Sequence, residues 1–181
     1  MSLLCQEDIV RSITELSPVD DLDDNLKYLV KSIISYFKLS KEINYTYIIG
    51  LLENEDNKII FYNLNEKSIF GIDYCPSAII YNIANVDNNI VCYILALTTL
   101  PIYRNRGYAK KLLDAFAADI KEKYNNHSIV RLVLSATDES FSFYEKNEFV
   151  LIEDDLVDHP ILVKHENYDK TKLYYIFEKT L

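Results

Sequence analysis

Four cations, Arg104, Arg106, Lys110 and Lys111, fall within eight residues that contain no acid, in a chain of 181 residues whose formal net charge is -9. Among them sit Gly107 and Ala109, in the run Arg104-Asn-Arg-Gly-Tyr-Ala109. A residue without a side chain, next to a small one, lets backbone N–H groups approach a ligand closely. Where a helix begins at such a place, its dipole adds a positive end, and the combination suits an anion such as a pyrophosphate. The flanking sequence supplies that geometry. Upstream, residues 90–99 form an apolar, β-branched run that leads to Pro101, and downstream residues 105–123 read as a helix with Leu112, Leu113, Phe116 and Ile120 facing inward. A strand, a tight turn and a helix start follow one another in that order.

Read as R-x-x-G-x-A between a strand and a helix, Arg104, Gly107 and Ala109 resemble the acetyl-coenzyme A signature of the GNAT acyltransferase superfamily. Ser135-Ala-Thr-Asp-Glu-Ser-Phe-Ser-Phe-Tyr-Glu-Lys-Asn-Glu-Phe149 is similar to the family's second signature, a helix ending Phe-Tyr-Glu-Lys ahead of a strand that opens with an aromatic residue. Tyr93-Ile-Leu-Ala-Leu-Thr-Thr-Leu-Pro-Ile-Tyr-Arg104 resembles the coenzyme-binding strand and its exit. The motifs span residues 90–150 in the family's order. The resemblance implies a GNAT fold of α/β (α+β) class: a mixed, mostly antiparallel twisted sheet of about seven strands, with helices on both faces, splayed at the acetyl-CoA site.

Acetyl transfer to an amine must hold the coenzyme, take a proton from an ammonium whose free pKa is about 10, and protonate the leaving thiolate. By the resemblance, Arg104 and the amides of Asn105, Arg106, Gly107, Tyr108, Ala109 and Lys110 meet the diphosphate. The backbone of Leu97, Thr98 and Thr99 is expected to pair with the pantetheine arm like an added strand. Thr137, where the family often has asparagine, and Ser140 are expected to hydrogen-bond the same arm, with a plain N-cap as the alternative for Thr137. Tyr144 falls at the family tyrosine beside the coenzyme sulfur and is the expected general acid; in a chain with 15 tyrosines, a core aromatic is the alternative. For the base, residues 90–99 offer no carboxylate, only Tyr93. Its surroundings are similar to the strand of protein N-terminal acetyltransferases that act on chains beginning with methionine, where a tyrosine helps take the amine's proton alongside a histidine on the next strand. Here that histidine's position is Leu132. Alternation puts Tyr93, Leu95 and Leu97 on one face, either the substrate face or the core.

The elements around these residues read as one mixed domain over 1–181, long enough to bury about two-thirds of its unfolded surface. Leu3 to Cys5 forms a short first strand, unless Met1-Ser2-Leu3 is left over from cloning. Ile9, Ile13 and Leu16 mark one helix, and Leu22, Leu26, Leu29, Ile33 and Phe37 a second. Strands are expected near 45–53, 58–63, 77–84 and 90–99, more than the usual family plan has here, so an added hairpin or a misread segment is implied. Ile129 to Leu134 is a strand, Thr137 or Asp138 caps a helix to Lys146, and Phe149 to Glu153 and Lys172 to Glu178 are the last two strands. A long mixed-charge loop joins them; by the resemblance it covers a peptide channel.

Composition narrows the function classes. Hydrophobic and charged contents of 49% and 26% are globular. No apolar run reaches bilayer length and no leader pattern opens the chain, so a cytoplasmic protein without a membrane partner is expected. Cys5, Cys75 and Cys92 contain no C-x-x-C pair, and His127, His159 and His165, in segments read as loops, share no ligand spacing. Neither a disulfide framework nor a metal is expected. A pI near 4.8 disfavours nucleic acid and suits a cationic acceptor. The acids clustered at 20–24, 53–56 and 153–158 either draw in an amine or only keep the chain soluble. The expected partners are acetyl-CoA as co-substrate and a peptide N-terminus or a small, polyamine-like amine, with the protein a monomer or homodimer. Because the strand carboxylate and the histidine are both missing, a coenzyme A-binding module without catalysis stays open.

Overall fold

Asp87 and Asn88 fix the longest hairpin. They join β3 (Ser77–Val86) to β4 (Asn89–Thr99), and their φ angles of 51° and 64° are both left-handed. That is the conformation of the two-residue turn whose twist matches the strands it connects, and Asp and Asn adopt it at little cost. The first six residues of β3 are buried, as are Ile90 to Ile94 of β4, because these strands are covered on both faces and their residues are apolar in continuous runs.

The computed structural model describes residues 3–5, 47, 50–51, 54, 56–62, 76–153, 155–165 and 173–181. The two helices expected between Ile9 and Phe37 lie outside them. The described strands form one mixed, mostly antiparallel sheet in the order β1-β2-β3-β4-β5-β7-β6. β1 (Leu3–Cys5) is antiparallel to β2 (Lys58–Tyr62). β4 is parallel to β5 (Val130–Ala136), and both β5 and β6 (Val150–Leu151) run antiparallel to β7 (Tyr175–Thr180). Parallel neighbours need a crossover, here α1 (Tyr108–Lys123), which buries the expected Leu112, Leu113, Phe116 and Ile120. Phe116 meets Tyr81 edge-on at 4.7 Å between ring centroids. By its contacts the chain divides into two units, one of residues up to Ile80 with Ala96–Leu112, the other of Tyr81–Leu95 with Leu113–Leu181. Among the described residues no helix is long and apolar enough to cross a membrane.

Four expectations are corrected. Tyr47, Gly50 and Leu51 are helical, so 45–53 is not a strand. Tyr47 and Leu51 stand four apart, the spacing of one helical face, and Leu51 is buried while its carbonyl accepts a bond from Asn57 Nδ2 at 2.9 Å. Tertiary burial there overrides the β-branched composition. α1 begins at Tyr108 and not at residue 105, because Asn105 and Gly107 are left-handed, with φ of 59° and 77°. β6 is only Val150–Leu151. The connection between β6 and β7 is not simply a loop: it holds a 3-10 turn, Leu156–Asp158, and α3 (Pro160–His165), so His165 is helical.

Phe116 has no exposed surface. Phe116→Ala is expected to cost about 3–5 kcal/mol, read as a lower urea midpoint, whereas truncation of the half-exposed Val86 should leave the midpoint within error.

Candidate active site

The loop residues belong to the first unit. α1's own hydrogen-bond ladder begins with Lys111, whose N–H donates to the Gly107 carbonyl at 3.0 Å. Gly107 is therefore the N-cap, and the amides of Tyr108, Ala109 and Lys110 point out of the helix end. A glycine has no side-chain oxygen to fold over them, and the first turn contains no acid. A Cβ built on Gly107 meets nothing within 4 Å, so its φ of 77°, and not crowding, is what asks for glycine. Two left-handed residues on either side of Arg106 turn the main chain into the kind of concavity that gathers N–H groups toward an anion.

Tyr108 anchors this end. Its ring lies 5.7 Å from that of Tyr62 and 5.8 Å from that of Tyr103, and Lys111 Nζ sits 5.4 Å above it. Arg104 Nε donates to the Thr99 carbonyl at 3.3 Å, tying the turn to the end of β4. There the Thr99 and Ser77 hydroxyls share a 2.8 Å hydrogen bond, Thr98 is buried and Leu97 half-buried. Arg104, Asn105, Arg106 and Lys110 are exposed.

Tyr93, Tyr144, Thr137 and Ser140 belong to the second unit. Tyr144 sits in α2 (Asp138–Lys146), with ring centroids 5.2 Å from Phe143, 5.6 Å from Phe149 and 6.0 Å from Phe177. The helix exit holds it: the amides of Asn147 and Phe149 both donate to the Tyr144 carbonyl, Glu148 is left-handed at φ 66°, and Lys179 Nζ reaches Asn147 O at 3.1 Å and Glu148 Oε2 at 2.9 Å. Burial pushes the Tyr144 phenol far up, so it stays protonated. Thr137 occupies the N-cap position of α2 but its hydroxyl makes no capping bond, and its carbonyl accepts the Ser140 hydroxyl at 3.1 Å.

Tyr93 is 7% exposed and packs with Val91, Val133, Leu156, Leu162 and Ile176. Its face is therefore a covered one. Burial raises the Tyr93 phenol, and the Arg131 guanidinium pulls it partly back. Arg131 pairs with Glu178 at 2.9 Å. Tyr93 lies opposite Val133 and Cys92 opposite Leu132. A side chain at position 132 thus projects to the face away from Tyr93, so a histidine there would not meet it. Ile176 packs on the Tyr93 side, whereas Phe177, the next residue of β7, packs on Tyr144. The two phenols consequently belong to opposite faces of the sheet. The β4–β5 ladder runs from Ile90↔Val130 to Ile94↔Leu134, although β4 continues to Thr99 and β5 to Ala136.

A family model, the acetyltransferase (GNAT) domain, matches residues 52–165. The chain belongs to the GNAT acetyltransferase family. Its fold is shared with Tetrahymena GCN5, at a TM-score of 0.62 and 13% identity over 89% of this chain and 91% of that one. It is similar also to Arabidopsis thaliana Naa50 in complex with the bisubstrate analogue CoA-Ac-MVNAL, at TM-score 0.52 and 18% identity over 88% and 95% of the two chains. The NatC complex bound to Gag peptide and CoA gives 0.55 and 17% over 100% and 99%. At these identities the likeness is one of fold. No curated protein matches the sequence significantly.

In this GNAT N-acetyltransferase the loop fits the coenzyme of its family, since open amides, a glycine N-cap and local positive charge are what a diphosphate requires. The sequence reading missed two features. His159, read as a loop residue, is 7% exposed and its ring lies 6.0 Å from that of Tyr93, at 70° between planes. Asp155 and Asp158 form a capping box just before Pro160, and that Asp-x-x-Asp-x-Pro pattern was the available signal for short helices around His159. Arg131 was the other, the one charged residue of a mostly apolar strand. Ser135 Oγ, two residues beyond Val133 and so on the Tyr93 face, is buried with no hydrogen-bond partner among the described residues.

A β-branched residue at position 107 forces the backbone out of its left-handed turn. Gly107→Val is expected to raise the acetyl-CoA dissociation constant at least about tenfold, a loss of about 1.4 kcal/mol, by calorimetry; Ala109→Gly, which keeps the turn, should change it far less.

Proposed function

We propose that this enzyme acetylates a peptide or protein N-terminal amine by direct attack on acetyl-CoA, with Tyr93 receiving the amine's proton and Tyr144 protonating the sulfur. The observation that carries this reading is the roof over Tyr93: residues of the β6–β7 connection, Leu156, His159 and Leu162, close its face of the sheet. Such a site takes a chain end more readily than a bulky internal side chain. Naa50 and NatC were solved with a peptide-bearing analogue and a peptide, respectively, which supports the same choice. Glu153, Asp155 and Asp158 are exposed on the connection, where they favour an approaching ammonium.

In the first unit, the amides from Asn105 to Lys110, with Arg104 and Arg106, hold the diphosphate and the backbone of Leu97, Thr98 and Thr99 lines the pantetheine arm; in the second unit, the Thr137 and Ser140 hydroxyls are offered as hydrogen-bonding groups for the coenzyme. The reading places the reacting group beyond Ile94↔Leu134, where the β4–β5 ladder ends. Ser135 Oγ, which has no hydrogen-bond partner among the described residues, is offered as a group that bonds a polar atom of the substrate. Tyr144, kept protonated by burial, gives up its proton only to a strong base such as a thiolate. Direct transfer is favoured because Cys92 is fully buried and one residue from Tyr93, hence on the opposite face.

On a peptide array run beside a polyamine panel, wild-type protein is expected to acetylate peptide N-termini; robust turnover of the polyamines alone would replace the acceptor class, and coenzyme binding without any turnover would make the chain a binding module. Tyr144→Phe is expected to lower kcat by about 10²-fold while acetyl-CoA affinity stays within a factor of about two. A full-rate Tyr144→Phe enzyme removes that residue from the mechanism.

A further inference from the structure

Arg131 Nε is buried and has no hydrogen-bond partner among the described residues, although the side chain that carries it is 38% exposed. Solvent reaches the outer edge of the guanidinium and not this N–H. A buried donor left without an acceptor is costly, so its presence asks for a ligand that supplies one. The charge of the group is already answered: Arg131 Nη1 donates to Glu178 Oε2 at 2.9 Å.

The strand registers put this donor beside the reacting face. Arg131, Val133 and Ser135 alternate onto one side of β5, and Val133 pairs with Tyr93 on one flank and Glu178 on the other. Arg131 is thus one strand across and two residues along from Tyr93, a Cα separation of about 8 Å that two long side chains can close. Burial raises the Tyr93 phenol and the guanidinium pulls it partly back, so the Arg131 charge is felt there. The fork of the guanidinium is planar, and its bond to Glu178 fixes that plane before any ligand arrives.

We propose that Arg131 is an acceptor-binding residue, whose Nε–H donates to the carbonyl oxygen of the acceptor's first residue while the amine of that residue meets Tyr93. This rests on the acceptor class and the role of Tyr93 given above. In an N-terminal residue the carbonyl carbon lies two bonds from the amine nitrogen, so both groups enter a site together. The carbonyl loses its water on reaching a covered face and needs a donor there. Because Glu178 balances the guanidinium, Nε offers a hydrogen bond rather than a net charge, and a neutral oxygen suits it. A free amino acid would bring its carboxylate up to Glu178 and be repelled. A polyamine brings no carbonyl, and its further ammonium groups meet a fixed cation. The same donor therefore favours a peptide end over both.

The test sets three acceptors before the full chain: a peptide that the array shows to be acetylated, the same peptide with its first amide replaced by a trans alkene, and its first amino acid alone. On wild-type protein the alkene and the free amino acid are expected to lose about 10- to 100-fold in kcat/KM, the range of a hydrogen bond to a charged group. Arg131→Lys keeps the charge and removes Nε–H. It should raise KM for the peptide by a similar factor with kcat within about threefold, and change the alkene by no more than about threefold. Acetyl-CoA affinity by calorimetry and the urea midpoint check that the variant is folded. In the complex of wild-type protein with coenzyme A, the Arg131 Nε–H resonance should move downfield on adding the peptide and stay in place with the alkene, a readout that needs neither turnover nor a variant. An alkene as good as the peptide, equal losses for both in Arg131→Lys, or an unmoved resonance overturns the inference and leaves the peptide acetyltransferase standing. A wild-type protein that acetylates polyamines and no peptide overturns the acceptor class together with it.

Discussion

A helix that must present bare amides to an anion cannot carry an ordinary N-cap. Serine, threonine or aspartate at that position would fold an oxygen over the N–H groups the ligand needs, and aspartate would add a repelling charge. Gly107 leaves the amides open, at a cost of a few tenths of a kcal/mol relative to a capping side chain. The aromatic contacts of Tyr108 with Tyr62 and Tyr103 offset it, since such pairs contribute about 0.5–1.5 kcal/mol each beyond their burial. Binding and stability are thereby separated along the chain. In the proposed site one residue gives up its cap for the ligand, and the next holds the helix in place.

The second unit is organised by strand alternation. Cys92 and Tyr93, Leu132 and Val133, and Ile176 and Phe177 are consecutive pairs whose members face opposite ways, and each pair contributes one residue to the Tyr93 side. A slip of one residue in any of these strands would carry its contribution to the other face. Three registers must hold together for Tyr93, Arg131, Ser135 and Glu178 to share a surface, which is why the β5–β7 ladder, paired from Arg131↔Thr180 to Ala136↔Tyr175, matters as much as the side chains it carries.

What the sequence revealed follows from how local each signal is. Arg104, Gly107 and Ala109 were readable because a turn and a helix start are written within six residues, and the buried face of α1 because four apolar residues repeat at helical spacing. The strand expected at 45–53 failed because Tyr47 and Leu51 satisfy two periods at once, and the burial of Leu51 goes with the helical one. His159 escaped for a related reason. Its helical bracing was written nearby, in Asp155, Asp158 and Pro160, but its meeting with Tyr93 depends on a chain reversal through β6 and β7 that no local pattern encodes. The position of Leu132 taught the opposite lesson, since the family resemblance told where a histidine should stand but not that this strand register would turn it away.

In the proposed mechanism two phenols with the same intrinsic pKa do opposite work, and their surroundings separate them. Tyr144 is enclosed by Phe143, Phe149 and Phe177, and burial raises its phenol. Such a phenol releases its proton only to a base created in the reaction itself. Tyr93 also loses solvent, but Arg131 stands on its face and stabilises negative charge as it develops on oxygen. The guanidinium remains paired with Glu178, so its effect is moderate, enough to ease proton departure without leaving a phenolate at rest.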